Sequence, residues 1–323
     1  MDILNNPFIT YDCIRASVNA TEKEKQEFIV EYGDILFQRS SETLEDVGHA
    51  NVYLDCRPAL FGGFTIRGKK KGVYNPLFFK YLLDSPTARK KVIVKGAGAQ
   101  HFNIGQEGLS KVVLSFPSIQ EQNRITVLLN LLDQRIAIQN KVIEQYQSLI
   151  RAITHTFFNS KSDYPRVPLS DLSPNIASGK SKLALGPFPL YGSTGIIGTC
   201  TSGIYKGEMI LVARVGSIGQ IQLINTGGCG ITDNTLIVNS GELNHYVYFY
   251  LKSFDFQKIT SGTTQPLITG SSLKAINVPV LPFQERDPFI KMLAAIEQRI
   301  TLEQTILQQY LKTESFFLTS LFV

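Results

Sequence analysis

The chain has 323 residues, 43% of them apolar and 10% aromatic, and its 32 basic and 27 acidic side chains leave a net charge of +5. That is enough apolar material for two domains with cores, and no apolar run is long enough to span a bilayer, which excludes a membrane-spanning helix. Cys13, Cys56, Cys200 and Cys229 are scattered without a Cys-x-x-Cys pair, which excludes a disulfide framework or zinc site and leaves reduced thiols. Nothing at Met1-Asp2-Ile3-Leu4 reads as a signal peptide, so a cytoplasmic location is expected.

In chain order, the first recognisable element is Gly33-Asp34-Ile35-Leu36-Phe37-Gln38-Arg39, a turn feeding a strand that ends at an arginine. A second strand, Phe61 to Ile66, runs into the glycine-bracketed basic turn Arg67-Gly68-Lys69-Lys70-Lys71-Gly72. That turn is either a solvated hairpin tip or a polyanion contact. Residues 75–83 form an apolar, helical stretch, and Gly98 to Gly105 is a loop.

A long helix over about 119–158 follows. Ile125, Leu129, Leu132, Ile136, Gln139, Ile143, Tyr146, Ile150 and Ile153 alternate spacings of four and three, which is a coiled-coil seam. Ser118 with Glu121 has the form of a capping box. At 1.5 Å per residue this helix reaches roughly 60 Å, too long for one small domain to wrap.

The chain then repeats itself. The turn, strand and arginine return as Gly207 to Arg214, the apolar helix as 244–252, and the loop as Thr263 to Gly270. Residues 284–310 repeat 120–146 without a gap, 164 residues on. The second seam is Phe289, Leu293, Ile296, Ile300, Glu303, Leu307 and Tyr310, with Glu303 at the place of Gln139, a polar position of the kind that fixes register or receives a partner. Asp287-Pro288 offers an N-cap with proline at the first helical position, which starts this helix at about 288 and runs it to 320.

Residues 1–118 carry 15 basic and 13 acidic residues and 161–282 carry 9 and 6, whereas 283–323 carry 4 and 5. The positive excess therefore lies in the globular parts and suits a polyanion. Catalytic motifs are only imitated. Tyr74-Asn75-Pro76-Leu77-Phe78 lacks the second proline of an adenine methyltransferase element. Ser178-Gly179-Lys180-Ser181 has Pro174 where a phosphate loop needs glycine, and Gly192 to Gly198 lacks dinucleotide spacing. No His-Glu-x-x-His occurs, and His49, His101, His155 and His245 are dispersed. No catalytic centre, metal site or cofactor site is expected.

Residues 33–43 (Gly-Asp-Ile-Leu-Phe-Gln-Arg-Ser-Ser-Glu-Thr), 45–48 (Glu-Asp-Val-Gly), 116–122 (Phe-Pro-Ser-Ile-Gln-Glu-Gln), 189–195 (Pro-Leu-Tyr-Gly-Ser-Thr-Gly) and 261–270 (Ser-Gly-Thr-Thr-Gln-Pro-Leu-Ile-Thr-Gly) resemble the specificity subunit of type I restriction-modification systems over essentially the whole chain. The resemblance implies an α+β protein: two globular α/β target-recognition domains in tandem, each followed by a long helix, the helices pairing as an antiparallel coiled coil. Its divisions are a first recognition domain at 1–118, the first helix and linker at 119–160, a second domain at 161–282 and the second helix at 283–323. The chain would be non-catalytic and read a bipartite site in double-stranded DNA. Two methyltransferase subunits would methylate adenine, and restriction (translocase/endonuclease) subunits would cleave, with S-adenosylmethionine, ATP and Mg2+ on those partners only. A spacer of ~60 Å corresponds to about 17 base-pair rises.

Cations and amides read base edges while hydroxyls hold phosphates, so the expected DNA contacts are Arg39, Ser40, Ser41, Arg67, Lys69, Lys70 and Lys71 in the first domain. In the second they are Lys180, Lys182, Tyr191, Ser193, Thr194, Arg214 and Ser217. Gln100 and Gln265 recur in equivalent loops, which reads as a shared structural duty, since base readers for different targets should differ. Leu128, Leu131, Ile138, Val142, Leu149, Ile306 and Phe317, partly off the seam, either dock methyltransferase subunits or widen the apolar stripe.

The first unit has 32 residues before Gly33 against about 42 from Pro165 to Gly207 in the second, which predicts a first domain that is truncated or whose opening is encoded differently. The alternatives are a stand-alone DNA-binding protein, an exchangeable or truncated specificity protein without an active complex, and an enzyme or coiled-coil scaffold that uses its domains for protein contacts.

Overall fold

The structure is a computed structural model that describes residues 2–98, 101–160, 163–262 and 266–322. It mixes helix and sheet and forms two compact units, one of Met1–Lys141 with Thr305–Val323 and one of Val142–Gln304. Each unit thus contains a share of both long helices.

In the first unit, strand Ile35–Gln38 pairs antiparallel with Ala50–Val52 on one side and Thr65–Gly68 on the other. Gly33 sits at φ +90°, a conformation that side-chain-bearing residues adopt only with strain, and so turns the chain into the central strand. Helix Pro76–Asp84 begins as a helix should: the Asn75 side chain accepts from the Phe78 N–H, and Pro76 occupies the first turn. Its Phe78, Tyr81 and Leu82 bury against Ile125 and Leu129 of the first long helix and against Phe322.

In the second unit a six-stranded sheet runs in the order Gly195–Cys200, Phe188–Gly192, Ile221–Ile231, Tyr205–Ala213, Thr235–Val238, Ala177–Ser178. Helix Asn244–Ser253 buries Tyr246 through Leu251 in the main core. Ile150, Phe158, Phe289 and Leu293 of the long helices join that core, and the rings of Phe157 and Phe289 stack at 3.5 Å.

The long helices are Ile119–Asn159 and Phe283–Ser320. Every seam position named from the sequence is buried or half-buried, Gln139 and Glu303 included, whereas Leu128, Leu131, Ile138 and Leu149 are exposed. The second helix starts earlier than its proline suggests. The N–H groups of Glu285 and Arg286 both donate to the Pro282 carbonyl, which winds the first turn ahead of Pro288. Asp287 is a helical residue paired with Lys291 at 2.9 Å, not an N-cap.

The repetition extends to hydrogen bonds. Ala97 and Asn103 exchange both backbone bonds, as do Ser261 and Leu267, 164 residues on. Gly98 and Gly262, just inside these brackets, both have positive φ. The carbonyl of Arg39 accepts from the Ile104 N–H at 2.9 Å, and that of Arg214 accepts from Ile268 at 3.0 Å. Helix Pro76–Asp84 is tied to the first long helix by the Tyr81 hydroxyl donating to Asp133, and helix Asn244–Ser253 to the second by Tyr248 donating to Glu297, each at 2.7 Å.

Among the described residues, no helix is long and apolar enough to cross a membrane, and no cluster of His, Cys, Asp and Glu could hold a metal ion. All four cysteines are free.

Candidate nucleic-acid interface

The basic turn of the first unit is fastened by a residue that pattern reading passed over. Asp34 is almost fully buried. Its carboxylate accepts from Arg67 Nε at 2.7 Å, from the Lys70 N–H at 2.9 Å and from the Glu31 N–H at 2.9 Å. Arg67 is therefore engaged inward, with its Nη2 also 3.1 Å from Glu31, and its side chain is only 11% exposed. Lys70 lies between the rings of Tyr32 and Tyr74, Nζ being 5.6 and 5.3 Å from their centroids. Burial and the nearby Asp34 carboxylate push the Tyr74 hydroxyl up to about 12, so it stays a donor, and it donates to the Gly33 carbonyl at 2.7 Å. Lys69 and Lys71 point their charge to solvent from this fixed base.

Arg39, Ser40 and Ser41 stand elsewhere. In the register Gln38 faces Thr65 and Ile35 faces Gly68, so Arg39 leaves one end of the strand pair while Lys69 leaves the other. The two groups are separated by roughly 13 Å of strand. Arg39 is exposed beside Phe64, to whose carbonyl its N–H donates. Ser40 donates to Asn103, and Ser41 accepts from the Thr43 N–H.

In the second unit three loops converge. Ser193 and Thr194 form the two-residue turn between Gly192 and Gly195. The Ser193 hydroxyl lies 3.1 Å from the Val215 carbonyl and 3.3 Å from that of Asn234, and the Gln222 amide donates to the Gly192 and Ser193 carbonyls. The Arg214 N–H donates to Asn234 O, which closes the group. Thr194 and Ser217 are exposed on these loops. Arg214 is half-buried, with Nε shielded and lacking a hydrogen bond. Tyr191 packs its ring on Met209, Leu211, Cys229 and Ile231.

Lys180 and Lys182 are exposed on a segment beside this cluster. The apparent phosphate loop there is sheet structure. The N–H groups of Gly179, Lys180 and Ser181 donate to Thr235 O, the Tyr205 hydroxyl and Ile231 O. A Cβ at Gly179 would lie 2.2 Å from the Ile231 carbonyl oxygen, so glycine is there for close backbone approach. Asn75 of the methyltransferase-like stretch is likewise spent, on its helix cap and on Asn123. Gln100 and Gln265 lie outside the described residues.

Sequence reading missed Asp34, Gln222 and Asn234. Asn234 stands in the turn-forming run Thr232-Asp233-Asn234 and could have been suspected, but Arg67 and Lys70, which Asp34 holds, and the carbonyls that Gln222 meets are distant in sequence.

Residues 159–311, which take in most of the second unit, match the family described as type I restriction modification DNA specificity domain. A Haemophilus influenzae protein classed provisionally as a type I restriction enzyme specificity subunit, S.HindORF215P, is 27% identical over 124 residues, 36% of this chain and 32% of that one. The match therefore spans about a third of that relative's length. The S subunit of a type I restriction-modification system from M. genitalium has a similar fold, with a TM-score of 0.58 at 18% identity, covering 92% of this chain and 85% of that one. A chain from a structure on complex assembly and conformational transition of the type I R-M system gives 0.51 at 15%, covering 90% and 81%. Part of the sequence, and the fold over most of the chain, are thus similar to those of type I restriction-modification specificity subunits.

Proposed function

We propose that the chain is the non-catalytic DNA-specificity subunit of a type I restriction-modification complex and reads a bipartite site with one recognition domain per half. The observation that carries this is internal repetition. The family match covers the second half, and the first half repeats its positive-φ glycine, strand, anchored arginine and bracketed loop. Two domains of one kind suit two half-sites.

In this reading residues 1–118 and 161–282 are the readers. The seams of 119–160 and 283–323 pair as an antiparallel coiled coil that sets their spacing. Exposed Leu128, Leu131, Ile138 and Leu149, with half-buried Val142, Ile306 and Phe317, offer apolar contact to two methyltransferase subunits. Lys69, Lys71, Lys180 and Lys182 meet phosphates, as do the hydroxyls of Ser40, Ser41, Ser193, Thr194 and Ser217, while Arg39 and Arg214 approach base edges. Arg67, Lys70 and Tyr191 support the loops that present them. Adenine methylation and restriction, with S-adenosylmethionine, ATP and Mg2+, belong to the partner subunits in the cytoplasm.

The test is co-expression with the candidate methyltransferase subunit and sequencing of modified adenines in host DNA. A bipartite motif with a fixed gap is expected, and exchanging residues 161–282 should alter one half only. Modification without a bipartite motif, or no complex at all, overturns the reading.

A further inference from the structure

One part of the second unit is used neither by the core nor by the polar loops. Strand Gly195–Cys200 is an edge of the six-stranded sheet, and it exposes Ile196 at 62% and Ile197 at 50%. Leu183, 69% exposed, lies over the same strand: a Cβ at Gly198 would be 2.4 Å from Leu183 Cδ1, and the Ala184 N–H donates to the Thr199 carbonyl at 3.0 Å. Leu185 beside it is 97% exposed. Apolar side chains gathered on a sheet edge mark a surface meant to be covered.

Two observations say by what. Ile196 pairs across the hairpin with Tyr191, one residue from the Gly192–Gly195 turn that holds Ser193 and Thr194, so the patch is continuous with the candidate interface. Residues 172–207 contain Lys180, Lys182 and Lys206 and not one Asp or Glu. An apolar strip on a segment that carries three lysines and no carboxylate fits a ligand that is anionic at its margins and carries small apolar groups between them. The major groove has that pattern wherever thymine 5-methyl groups project between phosphate strands.

We infer that Ile196 and Leu183 read thymine methyl groups in one half-site, with Lys180 and Lys182 on the flanking phosphates. This rests on the proposed DNA-specificity role and adds to it a class of base. Isoleucine and leucine make no hydrogen bond to a base edge, so their discrimination comes only from burying the methyl.

The experiment is selection of binding sites by the full chain from two random duplex libraries, one with thymine and one with deoxyuridine in its place. Affinities for the selected duplexes are then measured for the native chain and for Ile196→Ser and Leu183→Ser. Both substitutions are at exposed positions, and unchanged thermal unfolding checks that they fold. The native chain should lose about fourfold in affinity for each contacted methyl removed, the worth of one buried carbon. Ile196→Ser should show that loss on thymine DNA and no further loss on deoxyuridine DNA.

Equal sensitivity of native and substituted chains to the missing methyl overturns the inference, as does no sensitivity at all. So does loss of a protein partner with DNA binding intact, because the patch would then face protein. If no sequence is selected from either library, the DNA-specificity reading itself fails.

Discussion

At the scale of single residues, two carboxylates carry more than their neighbours. Asp34 holds the basic turn through three hydrogen bonds, so Asp34→Ala leaves the buried guanidinium of Arg67 without its main partner. Breaking a buried pair on one side costs about 3–5 kcal/mol. Amide exchange across residues 29–74 should accelerate accordingly, while exchange in residues 163–262 stays as it was; unchanged protection at 29–74 would deny Asp34 this role. Glu314 is the second. Burial, and then the charge and hydrogen bond of Asp133, raise its carboxyl from 4.5 to about 7; Lys80 opposes the shift, and Asp84 adds to it. A raised folded-state value means the folded chain keeps a proton the unfolded chain has released. The stabilisation is full below pH 4.5 and drains away as pH climbs to about 7. Glu314→Gln keeps the neutral form throughout, so it should flatten the stability profile between pH 5 and 8 in thermal unfolding and unfold later than the native chain at pH 8. A steeper profile for the variant would contradict the retained proton on Glu314. Nothing in the sequence pattern announces either residue, because each depends on partners brought in from other elements.

At the scale of elements, the long helices were legible because a four-three spacing is a local property: it survives whatever the chain does elsewhere, and burial follows it from Ile125 to Ile153. Their ends were less so. Pro288 looks like a first-turn proline, yet the Pro282 carbonyl starts the helix one turn and a half before it. The strand ending at arginine and the apolar helix were legible in both halves for a similar reason, since a repeated string discloses itself. The first long helix also sets buried and exposed leucines side by side. Leu129 is fully buried among Phe78, Tyr81 and Phe322, and its neighbour Leu128 is 43% exposed. Leu129→Ala should cost about 2–5 kcal/mol by cavity formation. Leu128→Ala should change stability by no more than about 0.5 kcal/mol. On the proposed function the order reverses for assembly: Leu128→Ala weakens co-purification with the methyltransferase subunit without loosening the fold. Denaturant titration of the first long helix and pull-down yield, measured on both variants, separate the two duties, and equal effects on both readouts would merge them.

For the whole molecule, the proposed role makes helix length a variable with a geometric readout. Polar loops that touch bases cannot be ranked from the sequence, since residues as far apart as Ser193, Val215 and Asn234 meet only in the fold, but spacing between readers depends on nothing finer than rise per residue. Seven residues added after Lys141 and seven after Gln304, where the chain passes between its two units, preserve the heptad phase of both seams. They lengthen the pair by about 10.5 Å, close to three base-pair rises. Methylome sequencing of a strain carrying the lengthened chain should return the same two half-sites with a gap about three base pairs longer. Three base pairs also turn one half-site relative to the other by roughly 100° at 10.5 pairs per turn, so a helix pair that lengthens without rotating as far must twist the DNA, and the fraction of modified sites should fall. An unchanged gap would mean that the helices do not set the distance, and the second helix would then have to be read as a docking surface alone.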